Sequence, residues 1–232
     1  ARDQVGATAY GTNTAIFAYG STGSATAISN LVSNTGVIAT DTSGVGTARY
    51  GLAGAPYGGD KGIFAFGYSG GLSSISNLVS NTGVIATNTS GVGTARYQLA
   101  AAGYGDDKAI FGFGYTGSNT GVTNLVNSSG VIASDVSAVG TARRAPSATN
   151  LVSNTGVVAT DTAGVGTDRT RLAASTYGGD KAILGFGNSN TASTTPTAIT
   201  NLVSNTGVVA TDTSGVGTGR YGLAASAYSS TA

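Results

Sequence analysis

The sequence predicts an all-β protein built from repeated units, and three observations lead to this prediction. The stretch 77–96, NLVSNTGVIATNTSGVGTAR, returns in near copies that begin at four other asparagines, Asn30, Asn124, Asn150 and Asn201. Short segments rich in β-branched and small residues alternate with clusters of Gly, Asn, Asp and Ser, a pattern typical of strands joined by tight turns. The chain of 232 residues contains 38 glycines and no Glu or Met, so strong helix formers are scarce.

The arginine that closes each copy divides the chain into units. These arginines are separated by 47, 47, 47, 26 and 51 residues, and they are Arg2, Arg49, Arg96, Arg143, Arg169 and Arg220. Such a repeat implies that each copy is one supersecondary unit that buries its apolar face against its neighbours. We therefore predict a single repeat domain over residues 1–232, with units 2–48, 49–95, 96–142, a truncated 143–168, 169–219, and a C-terminal strand 220–232.

Each full unit contains four segments with strand character. In the unit 49–95 they are RYGLAGAPYG, GIFAFGY, SISNLVSN and GVIATNT. We predict one strand for each segment, which gives 19 candidate strands in the chain. The truncated unit is shorter than a full one by 47 − 26 = 21 residues, the length of the first two strands and their turn, so we expect it to supply only half a unit.

The second segment alternates between two kinds of side chain. Strand periodicity predicts that Phe64 and Phe66 lie on one face and that Ile63 and Ala65 lie on the other. Because the aromatic residues recur in four units, we expect each sheet to bury them by stacking on the next sheet.

The turns between the first and second strands are candidate contact sites. Gly and Asp tolerate the positive φ angles of a hairpin turn, and loops on a rigid β scaffold often carry recognition. The alternative is that they are merely efficient turns. The predicted contact loops contain Gly58, Gly59, Asp60, Lys61, Gly105, Asp106, Asp107, Lys108, Gly178, Gly179, Asp180 and Lys181.

A tyrosine precedes each of these turns. Tyr57, Tyr104 and Tyr177 are candidates for an aromatic platform that stacks on sugar rings, because a phenol offers an apolar face and a hydroxyl. Packing at the rim of the fold is the alternative.

Composition argues against most enzymatic chemistry. Without His, Cys or Glu, neither a histidine-dependent triad nor a cysteine nucleophile can be assembled, so we predict no enzyme, catalytic residue, cofactor or metal site. Two weaker hypotheses remain. Asp106 and Asp107 form a carboxylate pair of the kind glycosidases use, and the segment 40–46, TDTSGVG, has oxygen ligands for Ca²⁺. In both cases a plain turn is the favoured interpretation.

The charge balance and the hydropathy limit the partners. Eleven basic and ten acidic residues leave a net charge of +1, which gives no electrostatic reason to expect nucleic acid. No apolar run approaches the roughly 20 residues of a membrane span. The arginines that begin the units have two interpretations, an anion-binding ring or pairing with the Asp of a neighbouring turn, and we favour the pairing.

The order of segments resembles a kelch-type blade: an Arg-led strand of small residues, an aromatic strand that ends in Gly, a polar-apolar strand, and a last strand before the next Arg. Where kelch blades carry Gly-Gly, this chain has Gly67-Tyr68 and Gly114-Tyr115, and it has no Trp. The resemblance implies a β-propeller of about five small four-stranded blades, one of them incomplete. The alternative is an open stack of β-blades or a fibre.

The phrases GGDKAI and NLVSNTGVVATDT are similar to low-complexity repeat proteins of bacteriophages and marine bacteria, often virion or fibre proteins. This resemblance implies a non-enzymatic structural or adhesive protein of a virion or of the extracellular cell surface, whose partners are other structural subunits or further copies. The alternative is a multivalent, lectin-like propeller that binds surface glycans.

Overall fold

The computed structural model describes residues 1–144, 151–161, 165–189 and 195–226. These residues contain no helix and form twelve strands in four three-stranded antiparallel sheets. The predicted all-β class is therefore confirmed.

Each sheet repeats the same plan of two five-residue strands followed by a four-residue strand, in sequence order. The strands are β1 (Gly6–Tyr10), β2 (Thr14–Ala18), β3 (Ser29–Val32), β4 (Ala53–Tyr57), β5 (Lys61–Ala65), β6 (Ser76–Val79), β7 (Ala100–Tyr104), β8 (Lys108–Gly112), β9 (Thr123–Val126), β10 (Ala173–Tyr177), β11 (Lys181–Gly185) and β12 (Thr200–Val203).

The predicted fourth strand of each unit is wrong, and so is the total of 19. In the unit 49–95 the fourth segment touches β6 only through two isolated bridges, Val79 to Ile85 and Ser76 to Thr89. Between these bridges β6 has two residues and the fourth segment has three (86–88), so the extra residue bulges out and interrupts the ladder. The Asn77 side chain fills the gap, because its amide donates to the Ala86 carbonyl at 2.9 Å.

The two incomplete units contain only isolated bridges within the described residues. In the truncated unit Val152 bridges Val158, and residues 145–150 and 162–164 lie outside the described ranges. The predicted strand 220–232 is absent over 220–226, where Arg220 forms a single bridge with Thr197. Residues 227–232 also lie outside the described ranges.

The first three sheets stack face to face, which buries both faces of the middle sheet. On one side the Phe64 ring meets Tyr19 of the first sheet, with centroids 5.6 Å apart. On the other side the Phe66 ring meets Phe111 of the third sheet at 5.5 Å. The expected stacking of aromatic faces is therefore present in these sheets.

The predicted placement of Phe64 and Phe66 on one face is wrong. Phe64 belongs to the cluster shared with the first sheet, whereas Phe66 packs with Ile63 and Ala65 in the cluster shared with the third sheet. The reason is local, because Phe66 has a φ of +65° directly after β5 ends. This left-handed residue reverses the alternation of side chains that a continuous strand would keep.

Small residues in the first strand of each sheet let the sheets approach closely. A Cβ atom on Gly54 would lie 2.5 Å from the Ala7 carbonyl oxygen and 2.8 Å from the Phe64 ring. A larger side chain would therefore push the first and second sheets apart.

Candidate functional site

The arginines that begin the units form the buried part of each unit junction. Arg96 is fully buried. Its Nε donates to the Phe113 carbonyl at 2.9 Å, and its Nη2 donates to Asn124 Oδ1 at 2.7 Å. Its guanidinium carbon lies 4.0 Å from the centre of the Phe66 ring in the preceding unit. Arg96 thus fastens two strands of its own unit and covers an aromatic ring of its neighbour.

Arg49 repeats this geometry one unit earlier. Its Nε donates to the Phe66 carbonyl at 2.8 Å, its Nη2 donates to Asn77 Oδ1 at 2.7 Å, and its guanidinium lies 4.2 Å from the Tyr19 ring centre. Burial lowers the pKa of Arg96 to about 10, and the Asp135 carboxylate partly opposes that shift. Both guanidinium groups are enclosed, so neither one offers a surface to an anionic ligand.

The predicted partner of these arginines was an Asp of a neighbouring turn. Arg143 does form such an ion pair, at 3.0 Å from Asp161. Arg49 and Arg96 instead bind backbone carbonyls and Asn side chains. The sequence therefore identifies the arginine as a junction residue but not its main partners.

A second junction joins a Thr of one unit to an Asp or Asn of the next. The Thr94 backbone N–H and hydroxyl donate to Asp135 at 3.1 and 2.5 Å. Burial raises the pKa of Asp135, but the hydrogen bonds from Thr94 and Asn124 outweigh that effect and lower it overall. In the preceding junction Asn88 replaces the Asp and accepts from the Thr47 N–H at 3.1 Å.

A third junction places a tyrosine over a glycine of the following unit. Tyr57 lies over Gly130, where a Cβ atom would come within 2.8 Å of the ring, and Tyr104 lies over Gly156 in the same way. Tyr57 is only 4% exposed and Tyr104 is half-buried, whereas Tyr177 is 39% exposed. Of the three tyrosines predicted as a platform, Tyr177 thus presents the most ring surface to solvent.

Two of the three predicted contact loops, 58–61 and 105–108, stack through their backbones, and the first of them also stacks on the equivalent turn of the first unit. The Gly11 N–H donates to the Asp60 carbonyl at 2.7 Å, and the Gly58 N–H donates to the Asp107 carbonyl at 2.7 Å. Positive φ angles occur as predicted, at Gly58 and Asp106 among others. These contacts give the loop backbones a structural role.

The carboxylates of these loops bind their own neighbours. Asp60 pairs with Lys61 at 2.9 Å and accepts from the Asn81 amide at 3.0 Å. The Lys61 hydrogen bond is the largest cause of the lowered pKa of Asp60, followed by the Asn81 bond. The equivalent ion pairs of the other two loops measure 2.8 Å (Asp107 and Lys108) and 3.0 Å (Asp180 and Lys181).

A row of four tyrosines, which we call the tyrosine ladder, was not predicted. Its ring centroids are separated by 5.5 Å (Tyr50 to Tyr68), 5.7 Å (Tyr68 to Tyr97) and 5.8 Å (Tyr97 to Tyr115). Arg144 extends it at 4.6 Å from the Tyr115 ring. All four rings are half-buried. The signal in the sequence is a Tyr directly after the unit-opening Arg and another after the Gly that ends the second strand.

The first-strand segments of all four sheets converge on one cavity of about 390 Å³. Val5, Leu52 and Leu99 contribute to its apolar wall, and Gln98 and Arg171 bring polar side chains. Its lining segments are 3–7, 51–53, 98–101, 171–174 with Leu184, and 221–225. The lining of this cavity depends on how the sheets are placed around one another, which the order of segments in the sequence does not determine.

Comparison of the chain with protein-family models and with curated proteins found no match. Within the described ranges no helix is long and apolar enough to cross a membrane. The same residues bring together no group of three or more His, Cys, Asp or Glu side chains that could hold a metal ion.

Proposed function

We propose that this protein is a non-enzymatic structural or adhesive repeat protein that works as a subunit of a larger assembly, on a virion or on the outer surface of a cell. The observation that carries the proposal is the junction chemistry, since one set of contacts joins successive units. Some of the same groups remain exposed at the two ends, such as Asp41 in the first unit and Tyr177 in the last full unit. A surface built to receive one more unit is suited to assembly.

The leading face, which contains Ile38 in the first unit, is open. Ile38 is 60% exposed, whereas the equivalent Ile85 and Ile132 are each 7% exposed because a preceding unit covers them. The trailing face, which contains Tyr177 and Leu202 in the last full unit, is also open, at 39% and 44% exposure. The two faces carry complementary halves of the repeated junction.

We further propose that the sheets are blades of a propeller-like arc rather than of an extended fibre. Convergence of the first-strand segments on one cavity supports this arrangement. Backbone hydrogen bonds near its wall also support it, since Gly51 N–H donates to the Gln4 carbonyl at 3.1 Å and Gln98 N–H donates to the Gly51 carbonyl at 2.7 Å. Scattering that gives a particle several times longer than wide would exclude this arc.

Association is best tested by sedimentation velocity over a range of concentrations. Ile38→Asp on the leading face and Leu202→Asp on the trailing face should each weaken self-association, because each buries a charge at the interface. A mixture of the two variants should form dimers, since each keeps one intact face. Val84→Asp is the matched control, because Val84 is 64% exposed in a central unit.

The C-terminal segment provides a second test. Arg220 lies 5.0 Å from the Phe186 ring centre, in the position that Arg2 of an incoming copy would take. Removing residues 220–232 should therefore strengthen association. A protein that remains monomeric at every concentration, or a Val84→Asp control that disrupts association equally, would contradict the proposal.

A second candidate function is glycan binding, and the tyrosine ladder favours it. Four contiguous, half-buried rings provide a row of apolar surface and phenol groups of the kind that stacks on sugars. Screening on a glycan array, with Tyr68→Ser and Tyr177→Ser as paired variants, separates the ladder from the predicted platform. If no glycan binds at millimolar concentration, the candidate fails.

A further inference from the structure

We propose that the truncated unit forms a docking slot for a β-hairpin supplied by a separate polypeptide, and that this hairpin has the pattern of the repeat itself. That pattern is a strand of small residues, a three-residue Gly/Asp turn, and a second strand that ends in Phe-Gly. The proposal is independent of association through the leading and trailing faces.

The position of the slot follows from the stacking of the full units. The hairpin formed by β4 and β5 lies between the first and third sheets, where it fills the space beside the first strand of each of these sheets. The truncated unit lacks the 21 residues that would form its own hairpin. The surfaces that would contact this hairpin belong to the unit before it and the unit after it.

Arg143 marks the inner end of the slot. It occupies the repeat position of Arg96 and covers the Phe113 ring in the same way, at 3.8 Å. Its Nη1 donates to the Thr141 carbonyl at 2.8 Å. Its Nε and Nη2 are buried and find no acceptor among the described residues. Around Arg49 and Arg96, Nε donates to a hairpin carbonyl and Nη2 donates to an Asn of the third strand. Arg169 makes the Asn bond through Nη2, and its Nε also has no acceptor among the described residues.

The energetic consequence of this arrangement is large. A buried donor without an acceptor is destabilising, and more so when it carries charge. The Arg143 side chain is 12% exposed, so water has limited access to the guanidinium. A backbone carbonyl at the position of the Phe113 carbonyl next to Arg96 would satisfy Nε.

The two walls of the slot are exposed where their equivalents are covered. Ala102 on β7 is exposed, whereas its equivalents Thr8 and Ala55 are buried because the next unit covers them. On the opposite wall, Leu184 is half-buried, whereas its equivalent Phe111 is fully buried against the preceding unit.

The space between these walls selects the occupant. Leu99 and Leu184 both line the cavity of about 390 Å³ that the first-strand segments share, so the slot opens onto an unfilled volume on this side. At the other junctions the equivalent surfaces hold a strand of Ala and Gly residues, because neighbouring sheets approach too closely for larger side chains. A hairpin of this pattern therefore fits both walls, and its second strand would offer a carbonyl to the unpartnered Nε of Arg143.

The test uses the intact chain and a fluorescently labelled peptide of residues 98–116, QLAAAGYGDDKAIFGFGYT, followed by fluorescence anisotropy. We expect saturable binding with one peptide per chain, and no binding of a scrambled peptide. Arg143→Lys keeps a positive charge but loses the planar guanidinium and its Nε and Nη2 donors. It should therefore weaken peptide binding at least about tenfold. Circular dichroism checks that this variant retains its β structure.

A repaired chain provides the second variant. Inserting the same 19-residue sequence after Arg144, which takes the position of Tyr97 behind the unit-opening arginine, should fill the slot and abolish peptide binding, while both end faces stay intact. Failure to saturate at about 1 mM peptide would overturn the proposal. It would also be overturned if the repaired chain bound the peptide as well as the original, or if Arg143→Lys had no effect.

Discussion

Replacing Arg96 and Arg143 separately by Ala tests how much the buried guanidinium stabilises a junction. The two sites are matched in several respects. Each guanidinium covers an aromatic ring, at 4.0 and 3.8 Å, and each donates to a Thr carbonyl, at 3.0 and 2.8 Å. Only Arg96 adds the hydrogen bonds from Nε and Nη2 to protein acceptors.

The expected difference follows from those two hydrogen bonds. Bonds to a charged group contribute roughly 1.5–3 kcal/mol each, so Arg96→Ala should lose about 3–6 kcal/mol through them. Arg143 has an ion pair with Asp161 that Arg96 lacks, and such a partly exposed pair contributes at most about 1 kcal/mol. Arg96→Ala should therefore lower the free energy of unfolding by at least about 2 kcal/mol more than Arg143→Ala.

Urea denaturation followed by circular dichroism and tyrosine fluorescence measures this difference. With a typical slope of about 1–3 kcal/mol per molar urea, the two midpoints should differ by roughly 1 M. Arg96→Lys keeps the charge but loses the planar guanidinium, so its urea midpoint should lie between those of the original chain and of Arg96→Ala. If Arg143→Ala is as destabilising as Arg96→Ala, the hydrogen bonds of Nε and Nη2 do not stabilise the junction.

Three further predictions concern the outer junctions and the loops. Gly130→Ala should lower the thermal midpoint more than Gly59→Ala does, because both have φ near +80° but only Gly130 lies under a tyrosine ring. Asp135→Asn should reduce the loss of stability on acidification, measured by urea denaturation at pH 3 to 7. The lowered pKa of Asp135 stabilises the fold above the usual carboxyl value of about 3.9, and this contribution disappears as pH falls through the folded pKa; an unchanged pH profile would contradict it. Replacing the three loop carboxylates Asp60, Asp107 and Asp180 together by Ala should leave the β-sheet circular dichroism unchanged, because exposed ion pairs contribute little to stability. The same variant should weaken assembly or adhesion if the loops make the contacts.

The all-β class was predictable because the repetition of short β-rich segments and turn residues is visible in the sequence alone. The junction partners were not, because they depend on which unit supplies the second residue. Arg96 and Asn124 are 28 positions apart in the sequence, and only the pairing of the strands places them 2.7 Å from one another. A pattern of charges suggests Asp as the partner of Arg, although Asn and a carbonyl occupy that position.

Two backbone features explain why strand predictions failed locally. Phe66, which has a positive φ, comes at the end of an unbroken apolar run, and no residue in that run indicates where the strand ends. The bulge at residues 86–88 depends on the Asn77 amide, which substitutes for part of the ladder. In both places a tertiary contact decides a conformation that propensity and alternation leave open.

Neighbouring units contact one another in two places, through the inner hairpin and through the outer Thr–Asp and Tyr–Gly contacts. Among the described residues, the truncated unit has only the outer contacts. It keeps the outer contacts, because the Thr141 N–H donates to Asp161 at 2.8 Å and Tyr104 packs over Gly156. It lacks the inner hairpin, so no aromatic strand of its own receives Arg143. When repeats are stabilised mainly by nearest neighbours, an interface that lacks part of its contacts is a weak point in the array. The same arrangement of strands nevertheless begins again at Arg169. The outer contacts alone are therefore sufficient to join the units on either side of the truncated unit.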